Sequence, residues 1–278
     1  MNWIELTFIV FGGSLAAGLV GSLTGLGGGV IIIPMLALAL GIDIRYAIGA
    51  SLVSIIATSS GSAAAYVKEG FTNIRVGMFL EVATTIGAVV GAMIAGFVST
   101  SVIAVIFGCV LIYSTYLSTR PRAEHISPEE QGSLATRLRL NGTYPTEHGL
   151  QHYGVRHIPH GFATMSLAGV LSGLLGIGSG AVKVLAMDSV MCLPFKVSTT
   201  TSNFMIGVTA AASAGVYLDR GYIDPGLTFP VMLGVLGGSW IGTKILFRAR
   251  VKALRILFGI VIFVLGLEMI YKGLLGGL

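Results

Sequence analysis

An apolar run broken by glycines occurs twice in this chain, at one fixed spacing. Gly18 to Met35 reads GLVGSLTGLGGGVIIIPM, and Gly169 to Ala186 reads GVLSGLLGIGSGAVKVLA. Gly18, Gly25, Gly27 and Gly29 each have a glycine 151 residues later, at Gly169, Gly176, Gly178 and Gly180. The register runs without a gap from Ala17 to Ala95. Ser51 falls on Ser202, Ile55 on Ile206, Thr58 on Thr209, Ser62 on Ser213, Tyr66 on Tyr217 and Gly70 on Gly221. Gly87 and Gly91 fall on Gly238 and Gly242, and Arg45 meets Lys196, which keeps the charge. Chance similarity between apolar helices gives scattered matches. A gap-free register that keeps glycines and hydroxyls together reads as a duplication, so the fold has to build the same broken element twice.

The medium in which it does so follows from composition. The chain is 54% hydrophobic and 10% charged, with a mean hydropathy of +0.88, whereas soluble domains are roughly 25% charged. Its apolar runs reach the roughly 20 residues that a helix needs to span a bilayer. The short alternating segments of a β-barrel are not seen. The expected fold class is all-α: a polytopic transmembrane helical bundle, built from two inverted repeats with Gly-broken helix pairs. The start, MNWIELTFIV, has no basic region before its apolar stretch and does not read as a cleavable signal. Cys109 and Cys192 lie in apolar segments and read as small core residues, with no disulfide framework. The net charge of +5 comes mainly from loop arginines, which makes it a topology signal, and nucleic acid is not an expected partner.

Five apolar elements are expected in the first half: Ile4–Leu23, Val30–Gly41, Ala47–Val67, Ile74–Val98 and Val102–Leu117. Five recur in the second: His160–Leu175, Ala181–Leu193, Val197–Leu218, Pro225–Phe247 and Val251–Leu275. The domains are then a first repeat over 1–118, a cytoplasmic inter-repeat loop over 119–159 and a second repeat over 160–278. Loop charge gives the hand of the repeat. Arg120, Arg122, Arg137, Arg139 and Arg156 lie in the central stretch, and Arg248, Arg250, Lys252 and Arg255 lie between the fourth and fifth elements of the second half. The matching loop of the first half, Ser99 to Ser101, carries no charge. Matching loops therefore prefer opposite sides of the membrane, which requires an odd number of crossings per half. Five crossings satisfy this, as do three crossings with the first two elements forming a re-entrant hairpin. Both place the central loop in the cytoplasm and both termini outside, in a multi-pass protein of the cell (inner) membrane.

Glycines before a short helix bring backbone N–H groups close to a ligand, and the first N–H groups of a helix have no internal partner. With the helix dipole they make an anion site. Gly27, Gly28 and Gly29 would open one such helix, and Gly178, Ser179 and Gly180 the other. Lys183, three residues after Gly180, is a cation at membrane depth, which is expensive and usually functional. Its repeat mate is Ile32, so the site would be asymmetric. Ser51, Ser202 and Asn203, early in the third elements, offer neutral donors to an oxyanion. Arg45 and Lys196 precede those elements, where they could draw anions in. Glu81 lies inside the fourth element as a candidate proton carrier, although its mate is Met232. Gly87/Gly91 and Gly238/Gly242 read as small-residue helix packing. The histidines, His125, His148, His152, His157 and His160, are in or beside the central loop and read as solvated; no metal and no cofactor is expected. There is no Walker-type sequence and no catalytic triad, so neither an ATP-driven pump nor an enzyme is supported.

The GLGGGVIIIP run from Gly25 to Pro34, with LSGLLGIGSGAVKV from Leu171 and TSNFMIGVTAAASA from Thr201, resembles the sulfite exporter TauE/SafE family. The resemblance covers both halves and leaves out most of the central loop. Ser179 stands where the family usually has a glycine. The resemblance implies a secondary membrane transporter that exports small sulfur oxyanions, sulfite first among them, by alternating access between the repeats. An anion channel, or an uptake permease for an organosulfonate or related sulfur compound, is the alternative. The expected partners are a small sulfur-containing anion and the lipid bilayer, with a homodimer left open.

Overall fold

The computed structural model describes residues 3–24, 28–68, 70–119, 134–146, 149–246 and 251–276. The first half consists of α1 (Trp3–Thr24), α2 (Gly29–Pro34), α3 (Ile44–Lys68), α4 (Ile74–Ala95) and α5 (Thr100–Thr119). The second consists of α7 (Ile158–Leu175), α8 (Gly180–Leu185), α9 (Phe195–Asp219), α10 (Pro225–Leu246) and α11 (Val251–Leu275). Four element starts recur 151 residues on: Gly29 with Gly180, Ile44 with Phe195, Ile74 with Pro225, and Thr100 with Val251. α2 and α8 each run on into a wider π turn, Met35–Ala39 and Ala186–Val190. The turns that follow match as well. Gly41 and Cys192 both take a left-handed φ, +64° and +58°, and Gly70 and Gly221 take +76° and +74°.

Between the halves lies an element that the sequence was not expected to contain. A short α6 (Leu134–Arg137) leads into an antiparallel hairpin, β1 (Gly142–Thr146) and β2 (Gly149–Tyr153), with Tyr144 opposite Gln151. The expected loop over 119–159 is thus partly built, and α7 starts at Ile158, two residues before the expected His160. The cysteines also depart from the core role: Cys109 is exposed and Cys192 forms the left-handed turn after the second π segment.

The helices pack as α1 on α10, α4 on α7, α3 on α9 and α5 on α11. Replacing each helix by its counterpart turns the first pair into the second and leaves the other two unchanged. Small residues make the close crossings. A Cβ on Gly87 would collide with the Ser166 carbonyl oxygen, on Gly91 with that of Val170, and on Gly238 with that of Leu15. α4 shows why these faces turn inward. Its glycines and Ala88 and Ala92 are buried against neighbouring helices, while Met78, Val82, Ile86 and Val90, one turn apart, are exposed. An exposed apolar stripe on a helix with hydropathy of 1.9 is the arrangement a bilayer stabilises.

Asn73 fastens the hairpin to the helices. Its Oδ1 accepts from Val76 N at 3.0 Å and caps α4, and its Nδ2 donates to Leu140 O and to the Tyr153 hydroxyl, both at 2.8 Å. Its own N–H donates to Thr201 Oγ1 on α9 at 3.0 Å. Leu140, Tyr144, Tyr153 and Val155 are buried in one apolar cluster with Val76, Leu80, Leu193 and Val197. At the equivalent place in the other half is a crevice of about 190 Å³, lined by residues that include Ile42, Tyr46, Asp224 and Leu227. These are the counterparts of Leu193, Val197, Asn73 and Val76.

Candidate functional site at the glycine breaks

The second break is described in full. α7 ends at Leu175, then Gly176, Gly178 and Ser179 take φ of +64°, +69° and +43°, and α8 starts at Gly180. Left-handed backbone is open to glycine and costs other residues about 1–2 kcal/mol, so Ser179 holds its place against local preference. Its Oγ donates to Ala168 O at 2.7 Å, back onto α7. Of the first break, Gly25 and Gly27 lie outside the described residues. Gly28 caps α2, its carbonyl accepting from Ile31 N and Ile32 N at 3.1 Å each.

The two breaks meet. A methyl group built on Gly29 would lie 3.3 Å from the Gly176 carbonyl oxygen and 3.0 Å from Ile55 Cδ1. One on Gly178 would lie 3.7 Å from Ile55 Cγ2 and 2.8 Å from Ile206 Cγ2. Ile55 and Ile206, repeat mates on α3 and α9, thus wedge the breaks from both halves. Ser51 Oγ donates to Gly176 O across the halves at 2.8 Å, and Ser202 Oγ donates to Gly180 O at 3.2 Å. The Tyr217 hydroxyl donates to Gly173 O at 3.1 Å and steadies the end of α7. Gly28, Gly29, Gly178, Ser179 and Gly180 are all buried, so this arrangement is closed to solvent.

Lys183 is 0% exposed. Its Nζ donates to Thr209 Oγ1 at 2.5 Å, and Thr209 Oγ1 is 2.7 Å from Glu81 Oε1. The ammonium of the second half is thereby linked to a carboxylate of the first through one hydroxyl. The other expected site residues fall into two groups. The protons of Ser51, Ser202 and Ser179 are spent on backbone carbonyls here, and Asn203 is half-buried on α9. Arg45 is committed elsewhere: its Nη2 donates to Val98 O at 2.8 Å, and its guanidinium lies 5.8 Å from the Tyr222 ring centroid. Arg220 donates to Ala92 O at 3.0 Å, so guanidinium groups of both halves close the C-terminal end of α4, where the helix dipole favours cations. Lys196 is exposed in the first turn of α9.

Comparison with known proteins identifies membrane transporters as relatives. The family model described as sulfite exporter TauE/SafE matches residues 10–269. The probable membrane transporter protein YunE of Bacillus subtilis (strain 168) is 28% identical over 268 residues, 94% of this chain and 96% of the relative. The probable membrane transporter protein YdhB of the same organism is 26% identical over 228 residues, 82% of this chain and 85% of its own. A probable membrane transporter protein of Xylella fastidiosa (strain 9a5c) is 23% identical over 264 residues, 92% and 93% of the two chains. No solved structure matches.

Proposed function

Since the chain belongs to the sulfite exporter TauE/SafE family of membrane transporters, we propose that it exports small sulfur oxyanions, sulfite first among them, by alternating access between two inverted repeats. The observation that carries this reading is a fully buried cation, Lys183, one turn beyond a glycine break that touches its counterpart from the other half. In the proposed site the backbone N–H groups at Gly28, Gly29 and Gly180 and the ammonium of Lys183 face the anion. Ser51, Ser202 and Ser179 hold the breaks in register while it is closed. The recurrence of element starts at 151 residues and the exchange-symmetric helix pairs support a repeat whose halves move against each other. The loop charges favour the inverted hand, with the central segment in the cytoplasm and both termini outside.

Potential sets the direction. An inside-negative membrane acts on each charge with about 2.3 kcal/mol per 100 mV. A dianion moving alone is therefore pushed out by roughly 4.6 kcal/mol per 100 mV. The test is labelled sulfite flux with purified protein in liposomes, with the potential clamped in either direction. Saturable, sulfite-selective flux that follows the potential is expected. Flux of another anion without sulfite would overturn the substrate, and a conductance that never saturates would make the protein a channel.

A further inference from the structure

Glu81 lies in the body of α4. Its Oε1 accepts from Thr209 Oγ1 at 2.7 Å and from Thr85 Oγ1 at 3.3 Å. Its Oε2 is buried and has no hydrogen-bond partner among the described residues. Thr209 in turn accepts from Lys183. Met205 O lies 3.0 Å from the same hydroxyl, and with its proton on the nearer Glu81 Oε1 the hydroxyl offers its lone pair to the ammonium. The elements around them add little charge at this depth. α7 has no ionisable side chain between Gly161 and Leu175, α9 carries Lys196, Tyr217 and Asp219 near its ends, and Asp188 is buried in the π turn after α8. Arg75, at the start of α4, donates to Arg139 O of the hairpin segment at 3.4 Å.

The repeat supplies an independent observation. The counterpart of Lys183 is Ile32, and the counterpart of Glu81 is Met232, while Thr209 has Thr58. The two charges come from different halves, and at the equivalent place both are replaced by apolar residues. A lysine that served an anion alone would not need the glutamate.

We propose that Glu81 is a proton-binding site that couples anion movement to one proton, with Lys183 shared between Glu81 and the transported anion. This rests on the anion site proposed above. In the closed arrangement, ammonium and carboxylate face each other through Thr209. An arriving anion takes the ammonium as its counter-charge and leaves a half-buried carboxylate, its Oε2 shut off from solvent, uncompensated. A proton from water on the open side bonds to Oε2, the oxygen without a partner, and the site is neutral again for a monoanion. On the far side the anion leaves, Oε2–H returns its proton to water, and Glu81 recovers Lys183 through Thr209. Each transfer exchanges one O–H bond for another, hydronium giving up the proton on one side and water taking it on the other, with no change of oxidation state. By linkage, the anion binds more tightly as pH falls; a dianion carries one net charge across instead of two, so the outward push of the potential is half that on a dianion moving alone, and a monoanion follows the pH gradient only.

The experiment uses the full-length protein in liposomes with isethionate, a sulfonate that stays a monoanion over the working pH range. In the wild type, a one-unit pH gradient at zero potential is expected to drive up to a tenfold accumulation on the alkaline side. An imposed potential at equal pH is expected to drive none. Glu81→Gln is expected to reverse this, responding to potential and not to pH. Wild-type accumulation that follows potential and ignores pH overturns the proposal. Labelled sulfite exchange at equal pH, with no gradient, tests the transport reading separately. An infrared difference spectrum of the wild type, taken on adding saturating sulfite at low pH, reads the proton site directly. A protonated-carboxyl C=O band that disappears in Glu81→Gln supports it, and a spectrum without that band overturns it.

Discussion

Lys183 and Arg45 were both cations with a claim on the anion, and their surroundings separate them. Lys183 has one neutral hydroxyl and a distant carboxylate as partners, whereas Arg45 already satisfies the carbonyls at the end of α4. A hydrogen bond to a charged group contributes about 1.5–3 kcal/mol, or roughly a ten- to hundredfold change in affinity. Lys183→Ala is expected to weaken sulfite binding by that factor in calorimetric titration. Arg45→Ala is expected to lower thermal stability with a much smaller loss of affinity, and equal losses would remove Lys183 from the site. Ser179 supplies a second test. Glycine there releases the left-handed penalty and loses the bond to Ala168 O, two effects of about 1 kcal/mol each and opposite sign. Ser179→Gly is therefore expected near wild-type stability. Ser179→Ala, which keeps the strain and loses the bond, should be about 1 kcal/mol less stable. Ser179→Val, β-branched at a positive φ, should lose transport. Thermal unfolding and flux of the three variants check this order. Lys183 was legible in the sequence because a lone cation at membrane depth stands out. Its link to Glu81 was not, because the two are 102 positions apart and meet only through packing of α4 on α9.

At the scale of elements, the apolar runs located the ten repeat helices to within a few residues, because bilayer-spanning segments are long and glycine and proline punctuate them. α11 starts at Val251 and α10 at Pro225, where they were expected. The π turns after α2 and α8 had no signature, since neither MLALA nor AMDSV departs from ordinary helical composition. The hairpin was missed for a different reason. Its strands, GTYPT and GLQHY, lack the alternation that marks a half-buried strand, and their anchor, Asn73, lies 69 residues before Gly142. The hairpin carries a pH signature of its own. Burial holds the Tyr153 phenol up to about 12, above the usual value of about 10, with the Asn73 hydrogen bond working against that rise. The folded state thus keeps a proton that the unfolded state gives up first. The contribution is complete below pH 10 and is lost as pH rises towards 12. Unfolding temperature should fall over that window, and Tyr153→Phe should flatten the dependence; an unchanged slope in the variant would detach the hairpin from Tyr153.

At the scale of the whole molecule, two halves of matching element order differ in what covers their ends. The hairpin grips α4 of one half through Asn73 and packs on Leu193 and Val197 of the other, while the matching crevice beside Ile42 and Tyr46 has no such cover among the described residues. If the halves rock, exposing the breaks on the hairpin side means breaking those bonds and uncovering buried tyrosines. Exposing them on the crevice side does not. By that argument, opening on the hairpin side is the costlier of the two movements. A segment present at one end alone can in this way bias a movement between two otherwise matching ends.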